Sequence, residues 1–262
     1  MKIVVLASGS KGNATYIETN NTKILIDAGI SFLQIRNRLS MRGIAIDTLD
    51  AIVVTHEHTD HIKYLTSIAT KTNATVYINK GTYLEANRRL SGGLSTVNVK
   101  LTEVNTKYQI NDLVIVPIRL SHDVDVCCGY LFKELVSGNV TYGYITDTGY
   151  IPDEYLELIS TLQVISLESN HDVDMLKYSK RPWPLIQRIL SDEGHLSNVQ
   201  CCNYLKNFNF DYVKEVILSH ISDECNTEEL VLKEVNNTFG KNLPAKFQVA
   251  KQHEPLEVIE VK

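Results

Sequence analysis

The feature that most constrains this chain is a run of metal-ligand residues directly after a short apolar segment. Residues 51–54 predict a buried strand, and His56, His58, Asp60 and His61 follow within a few positions. Imidazole nitrogens and carboxylate oxygens suit divalent ions such as zinc, manganese or iron. In an extended segment His56 and His58 point the same way, and a following helix turns Asp60 and His61 towards a second ion. A polar surface loop is the alternative, but three of only eight histidines in so short a stretch favour a metal site.

The overall charge neither predicts nor excludes a nucleic-acid substrate. The chain has 262 residues, 44% of them hydrophobic, and a net charge of −5. The hydrophobic fraction is sufficient for a substantial core. No basic field covers the whole molecule, which lowers the expectation of a nuclease, although bound dications and local Lys or Arg clusters can still recruit phosphate. Arg36, Arg38 and Arg42 are interpreted as a solvated helix face.

The cysteines and the first residues predict a cytoplasmic protein. The chain has two adjacent cysteine pairs and no C-x-x-C motif, which is typical of reduced, buried thiols: Cys127, Cys128, Cys201, Cys202 and Cys225. The apolar run 2–7 is too short for a signal peptide, and no run is long enough to cross a bilayer. We therefore expect a cytoplasmic protein with no membrane partner.

Hydrophobic patterning predicts many short strands separated by helices. Strands are predicted at 3–7, 15–18, 23–27, 51–54, 75–78, 126–135, 140–145, 162–167 and 213–218, with others within 98–120 and two edge strands within 247–261. Helices are predicted at 31–43, 61–70, 81–90, 152–159 and 226–239, and after the capping-box pattern of Ser197 and Gln200. A turn is predicted at Ser137-Gly138-Asn139. No linker or repeat divides the chain, so residues 1–262 are expected to form one α/β domain.

Three further ligand candidates each follow an apolar strand. His122 comes after the strand region that ends near residue 120, Asp147 after 140–145, and His220 after 213–218. A carboxylate at a strand end, followed by Gly149, suits a residue that bridges two cations, although a strand-terminating Asp turn has the same pattern. A single histidine after a strand is most often structural, so its position alone leaves His122 open.

The segment 56–61 resembles the signature of a known superfamily. His56-Glu57-His58-Thr59-Asp60-His61 matches the His-x-His-x-Asp-His signature of the metallo-β-lactamase superfamily. Two further motifs, Glu168-Ser169-Asn170-His171-Asp172 and Gly194-His195-Leu196-Ser197, make the chain similar to the YycJ/WalJ group over essentially its whole length. The resemblance implies a four-layer αββα sandwich with two metal ions at one edge, and a DNA exonuclease activity. The Gly-His motif also resembles that of tRNA 3′-processing endonucleases.

The same resemblance implies a set of metal ligands and catalytic residues. His56, His58 and His122 would hold the first ion, Asp60, His61 and His220 the second, and Asp147 would bridge them. Manganese or zinc is expected, with iron compatible. Two such ions share a water and lower its pKa towards neutrality, which supplies a hydroxide. The catalytic candidates are Asp60, Glu168 and His195; His195 would stabilise or protonate the departing oxygen, and Glu168 would orient it.

Substrate contacts are expected from loops around these ligands. The N–H groups of the loop 8–13 could converge on an anion, although a hairpin turn explains the same residues. The candidates are Ser10, Asn13, Asn170, His171, Asp172 and Ser197. The segment 177–188 mixes cations with aromatic rings, which suits phosphates and bases but equally suits a covering loop with one packed tryptophan. Tyr64 stands where relatives have glycine, and either narrows the metal rim or packs outward.

These observations predict a metal-dependent phosphodiesterase, and most specifically a 5′-to-3′ exonuclease on double-stranded DNA. The polarity is implied by the resemblance alone. DNA-repair or replication proteins are expected partners, and the oligomeric state is left open. The alternatives are an RNA-processing nuclease, a hydrolase of small esters, lactones or thioesters, and a non-catalytic scaffold. In a small-ester hydrolase, His195 and the motif 168–172 would have no role. A non-catalytic scaffold would not need a complete set of metal ligands.

Overall fold

The strands form two sheets flanked by helices, which is the mixed α/β class expected. The computed structural model describes residues 1–135 and 140–261, so the predicted turn at Ser137-Gly138-Asn139 lies outside the described residues. Of the described residues, 1–119, 124–135 and 251–261 form one compact unit, and 120–123 and 140–250 form a second. A single domain over 1–262 stays a prediction. No helix in the described part of the chain is both long and apolar enough to cross a membrane.

The first unit contains a seven-stranded sheet in which several strands end at one ligand-bearing edge. Its strands are β1 (Lys2–Ala7), β2 (Ala14–Glu18), β3 (Lys23–Ile26), β4 (Ala51–Val53), β5 (Thr75–Asn79), β6 (Val99–Thr102) and β14 (Ile259–Glu260), in the order β14-β1-β2-β3-β4-β5-β6. Pairing is antiparallel from β14 to β3 and parallel from β3 to β6. Because β1, β3 and β4 run in the same direction, the loops after them meet at one edge of the sheet.

The helices of the first unit cover this sheet. They are α1 (Phe32–Ser40), α2 (Thr59–Ile62), α3 (Leu65–Thr72), α4 (Lys80–Arg89) and a 3₁₀ turn at Gly93–Thr96. α1 begins at a capping box in which Ser31 and Gln34 exchange hydrogen bonds, as the sequence predicts. Leu39 of α1 and Ile68 of α3 belong to the buried cluster that includes Leu6 and Ile52 of the sheet. Strands β7 (Tyr108–Ile110), β8 (Leu113–Leu120) and β9 (Cys127–Glu134) follow one another in the second sheet.

The second unit contains four parallel strands that also end at one edge. They are β10 (Val140–Ile145), β11 (Val164–Glu168), β12 (Glu215–Ser219) and β13 (Lys246–Val249), paired in that order. Its helices are α5 (Asp153–Ile159), α6 (Val173–Lys177), α7 (Trp183–Ile189), α8 (Asn198–Leu205) and α9 (Glu228–Phe239). The predicted capping box of Ser197 and Gln200 is present at α8. The segment after β11 contains the two short helices α6 and α7, which the sequence pattern did not indicate.

Arg38 is buried in the structure, so its interpretation as part of a solvated face is wrong. Its guanidinium donates to the carbonyl oxygens of Leu6 (2.6 Å) and Gln252 (3.0 Å). Arg42 donates to the carbonyl of Leu256 at 2.8 Å. Helix α1 therefore holds the segment near residue 252 against the end of β1. Arg36 is exposed, as expected.

Arg38→Ala is expected to lower the free energy of unfolding by about 2–4 kcal/mol, because two carbonyls lose a charged donor. Urea unfolding followed by circular dichroism measures the change. Arg36→Ala is the matched control from the same helix and should change stability by less than about 0.5 kcal/mol. Equal stabilities of the two variants would show that the Arg38 hydrogen bonds do not stabilise the fold.

Candidate functional site

In the first unit, the carboxylate of Asp27 fixes the orientation of His61. Asp27 is fully buried directly after β3. Its Oδ2 accepts from Nδ1 of His61 at 2.7 Å, and its Oδ1 accepts from the backbone N–H of Thr55 at 2.9 Å. Burial raises the pKa of the Asp27 carboxyl, and the contact with His61 opposes that rise. Sequence reasoning missed this residue; the available signal was a carboxylate immediately after a buried strand.

The structure brings the four residues of the predicted motif together. The ring centroids of His56 and His58 are 4.6 Å apart, and those of His56 and His61 are 4.1 Å apart. Oδ2 of Asp60 lies 3.4 Å from Nε2 of His61. His56 and His61 are fully buried, whereas His58 and Asp60 are half-buried. Three imidazoles and one carboxylate thus converge at the end of β4.

Asn13 and Gly29 hold the backbone of Asp60 in place. The N–H of Asn13 donates to the carbonyl oxygen of Asp60 at 2.8 Å. The Asn13 side-chain amide nitrogen lies 3.2 Å from Asp60 Oδ2 and 3.0 Å from His61 Nε2. A Cβ atom on Gly29 would lie 1.8 Å from the Asp60 carbonyl oxygen, so only glycine permits this approach. Asn13 therefore lies against two predicted ligands.

Five N–H groups of the loop 8–13 are not available for the predicted anion-binding nest. They donate to acceptors of the protein itself: Ser8 to the Lys251 carbonyl, Gly9 to Asn13 Oδ1, Lys11 to Gln252 Oε1, Gly12 to the Gly9 carbonyl and Asn13 to the Asp60 carbonyl. An N–H that already has an acceptor offers nothing to a phosphate. Ser10 is exposed, and its contact with substrate stays a prediction.

Tyr64 packs against the core of the first unit. Its half-buried ring contacts the buried apolar cluster of the first unit, and the ammonium group of Lys63 lies 5.4 Å from the ring centroid. Its backbone φ is −112°, a value open to any residue, so glycine is not needed here.

In the second unit, Glu168 joins two histidines through one oxygen. Asp147, Glu168, His195 and His220 have ligand atoms within 4.8 Å of one another. Glu168 Oε1 accepts from Nδ1 of His195 at 2.7 Å and from Nδ1 of His220 at 2.8 Å. Burial alone would raise the pKa of Glu168, but the adjacent histidines hold it well below its usual range. Glu168 is therefore an ionised, fully buried acceptor.

His122 is anchored by the Gly-His motif. Its Nδ1 donates to the Gly194 carbonyl oxygen at 3.1 Å, and its ring centroid lies 5.0 Å from that of His195. A Cβ atom on Gly194 would lie 2.1 Å from the Ile189 carbonyl oxygen, so the close turn needs glycine. Burial lowers the pKa of His122, which favours the neutral imidazole.

Asp27, Asp147 and His220 share an uncommon backbone conformation. Their φ values are 59°, 61° and 57°, and each directly follows the last residue of a strand or lies within two residues of it. Left-handed backbone is rare for non-glycine residues and is concentrated at functional sites. Asp147 and His220 are buried, and Asp147 Oδ1 lies 3.3 Å from His220 Nδ1. The conformation thus accompanies close contact between polar side chains.

Directly after β11, Ser169, Asn170 and His171 are buried, and most polar side chains in this region bind the protein itself. Asn170 Nδ2 donates to the His220 carbonyl oxygen at 2.8 Å. Asp172 accepts from backbone N–H groups at the start of α6, and Ser197 does so at the start of α8. His171 is fully buried, burial lowers its pKa to about 4, and neither ring nitrogen has a hydrogen-bond partner within the described part of the chain. Substrate contact by these residues stays a prediction.

Four histidines share a pattern that fits divalent metal ions. Nδ1 of each meets an oxygen: Thr55 Oγ1 for His56 (3.0 Å), Asp27 for His61, the Gly194 carbonyl for His122 and Glu168 for His220. Histidines that bind metal through one ring nitrogen usually donate the other N–H to a carboxylate or carbonyl, which fixes the ring. With Asp60 and Asp147, the donor chemistry of each unit suits first-row divalent ions.

Comparison with known proteins identifies the family. The model of the Beta-lactamase superfamily domain matches residues 22–221, so the chain belongs to the metallo-β-lactamase superfamily and is a hydrolase of that superfamily. Within it, the chain is 35% identical over 235 residues to exodeoxyribonuclease YycJ of Bacillus anthracis, covering 90% of this chain and 88% of that protein. Exodeoxyribonuclease WalJ of Streptococcus pneumoniae serotype 2 is 34% identical over 230 residues, covering 87% and 84%. The predicted similarity to the YycJ/WalJ group is confirmed.

A solved structure confirms the fold class. The metallo-β-lactamase fold protein YhfI from Bacillus subtilis superposes with a TM-score of 0.69, covering 97% of this chain and 98% of that one. At 16% sequence identity this likeness concerns the fold alone.

Proposed function

We propose that this chain is a metal-dependent phosphodiesterase that shortens double-stranded DNA progressively from 5′ ends. The DNA substrate is supported by the two curated relatives, both named exodeoxyribonucleases. The proposed ligands of two divalent ions, manganese or zinc with iron compatible, are His56, His58, Asp60, His61, His122, Asp147 and His220. Ions held by these residues would lower the pKa of a bound water and neutralise charge on phosphate oxygens. The donor chemistry of the two units supports this ligand set.

The observation that carries the proposal is the pair formed by His195 and Glu168. The His195 side chain is 15% exposed, whereas Glu168 is fully buried beneath it. Because the N–H at Nδ1 donates to Glu168, Nε2 is the nitrogen left to act on a substrate. An ionised carboxylate stabilises the protonated imidazole, and that imidazole can give a proton to a departing oxygen. A DNA alkoxide needs such a proton, whereas a thiolate leaving group does not.

The remaining proposals concern the surroundings of this reaction. Ser10, Asn13, Asn170, His171, Asp172 and Ser197 are the proposed substrate contacts. We place the enzyme in the cytoplasm, where its five buried free cysteines would stay reduced. DNA-repair or replication proteins are the proposed partners, and residues 1–262 are proposed to act as one domain.

Manganese-loaded protein is expected to shorten end-labelled double-stranded DNA, with a 5′ label released before a 3′ label. Matched RNA, a lactone and a thioester should be turned over far more slowly. The thiolate of a thioester needs no proton from His195, and the preference for DNA over RNA and a lactone follows the two relatives named exodeoxyribonucleases. Gel analysis of both labels and parallel spectrophotometric assays measure these rates. Turnover of the lactone or thioester without nucleic-acid cleavage, with both manganese and zinc, would reverse the assignment in favour of a small-ester hydrolase.

A further inference from the structure

Two aromatic rings in the segment between β11 and His195 are exposed to solvent and do not anchor that segment to the rest of the protein. Tyr178 is 87% exposed and Trp183 is 59% exposed. The apolar side chains that anchor α6 and α7 point elsewhere, because Leu176, Ile186 and Ile189 are buried in a small cluster with Cys225. The alternative of a covering loop around one packed tryptophan is therefore wrong.

The charge around these rings suits a polyanion. Residues 177–188 contain four cations and no carboxylate, in a chain whose net charge is −5. Arg181 pairs with Glu224, and Arg188 pairs with Asp123. Lys177 and Lys180 are exposed, and neither forms an ion pair with any residue that the structure describes. We call Lys177, Tyr178, Lys180 and Trp183 the aromatic-cationic surface.

Hydrogen bonds join both ends of the segment that carries this surface to the motifs of the residues proposed to act on the phosphodiester. Asp172, in the motif that begins with Glu168, caps the start of α6. At the other end, the N–H of His195 donates to the carbonyl oxygen of Ile189, the last residue of α7, at 3.0 Å. Trp183 and Ile189 are separated by about 9 Å along the helix. That length corresponds to about three nucleotides of a stacked strand.

We infer that the aromatic-cationic surface binds an unpaired DNA strand at the end of the duplex; this inference rests on the proposed function. Bases inside a duplex are stacked on one another, so only unpaired or terminal bases can stack on a protein ring. Stacking on exposed aromatics with lysines along the backbone is how proteins bind single strands without reading sequence. The preferred substrate is thus a duplex with a single-stranded overhang or a frayed end.

Trp183 is the only tryptophan in the chain, so its fluorescence reports on this surface alone. Metal-loaded protein is titrated with a duplex that has a single-stranded overhang and phosphorothioate linkages that block cleavage. Saturable quenching is expected, and a blunt duplex should quench less at equal concentration. Trp183→Ala should bind the overhang duplex about 5- to 140-fold more weakly in fluorescence anisotropy, the range that corresponds to about 1–3 kcal/mol per stacked base.

The lysines give a second, independent measurement. Lys177→Glu combined with Lys180→Glu should reduce the slope of log affinity against log salt by at least about 1.4, since each phosphate contact on a single strand contributes about 0.7. Matched controls are Tyr212→Ala, which removes a ring that is 55% exposed in the same unit, and Lys241→Glu, which reverses an exposed charge. Both should leave affinity, salt slope and cleavage unchanged, and thermal melts check that every variant is folded.

The outcomes separate this inference from the proposed function. Wild-type cleavage of overhang DNA by Trp183→Ala, together with no quenching in the parent protein, overturns the inference and leaves the nuclease standing. Quenching and the expected losses of affinity without cleavage by any metal form support the surface and overturn the nuclease. The inference is also overturned if the parent protein and Trp183→Ala each bind blunt and overhang duplexes with equal affinity.

Discussion

Asp147→Ala is expected to remove both metal ions and to abolish hydrolysis. Asp147 is buried at the end of β10, with Oδ1 at 3.3 Å from Nδ1 of His220. As the proposed ligand common to both ions, Asp147 would have no substitute once it is removed. Elemental analysis of protein purified without chelator should find about two ions per wild-type chain and fewer than one in the variant. Because the pKa of a bound water falls from about 15.7 to about 7, the rate should drop on the order of 10⁴-fold or more.

The controls distinguish loss of ligand from loss of fold. Asp211→Ala removes an exposed carboxylate of the same unit and should retain both ions and full activity. Asp147→Asn keeps the shape of the side chain but lowers its charge, so it should fold and yet bind metal poorly. Full occupancy of both sites in either Asp147 variant would remove this residue from the proposed ligand set.

What could be predicted from the sequence was encoded in residues close together in the chain. The convergence of His56, His58, Asp60 and His61 follows from their spacing after one strand, and the structure brings them together. The capping boxes at Ser31 and Ser197 were predictable for the same reason, since each depends on a glutamine three residues later. Local patterns of this kind do not require knowledge of the tertiary fold.

Contacts between distant segments could not be predicted in this way. Asp27 and His61 are 34 residues apart, and Arg38 reaches a carbonyl 214 residues away, at Gln252. A helix pattern shows which side of α1 is apolar but not that the far end of the chain covers Arg38. The internal hydrogen bonds of the loop 8–13 could not be predicted for the same reason, because the N–H of Lys11 also donates to Gln252.

The aromatic-cationic surface shows a third limit of pattern reasoning. Helices α6 and α7 have five and seven residues, too few for an apolar periodicity to emerge. Composition alone suited both a covering loop and a nucleic-acid surface. Exposure decides between them, and it depends on which side chains fill the cluster around Cys225.

His195→Ala is expected to lower kcat on DNA by about 10²–10⁴-fold, the usual contribution of a positioned proton donor. Both metal ions should remain, because His195 is outside the proposed ligand set and its Nδ1 is held by Glu168. The loss should shrink for a p-nitrophenyl phosphodiester, whose leaving group departs without a proton.

A matched variant tests the role of Glu168 as a positioning residue. Glu168→Gln keeps the shape of the side chain but weakens the hydrogen bond that holds Nδ1 of His195, so DNA cleavage should persist at a reduced rate, with a smaller loss on the p-nitrophenyl phosphodiester. Loss of a metal ion from His195→Ala would make this residue a ligand. Unchanged rates on DNA would leave it a structural role at the turn before α8, where its N–H donates to the Ile189 carbonyl oxygen.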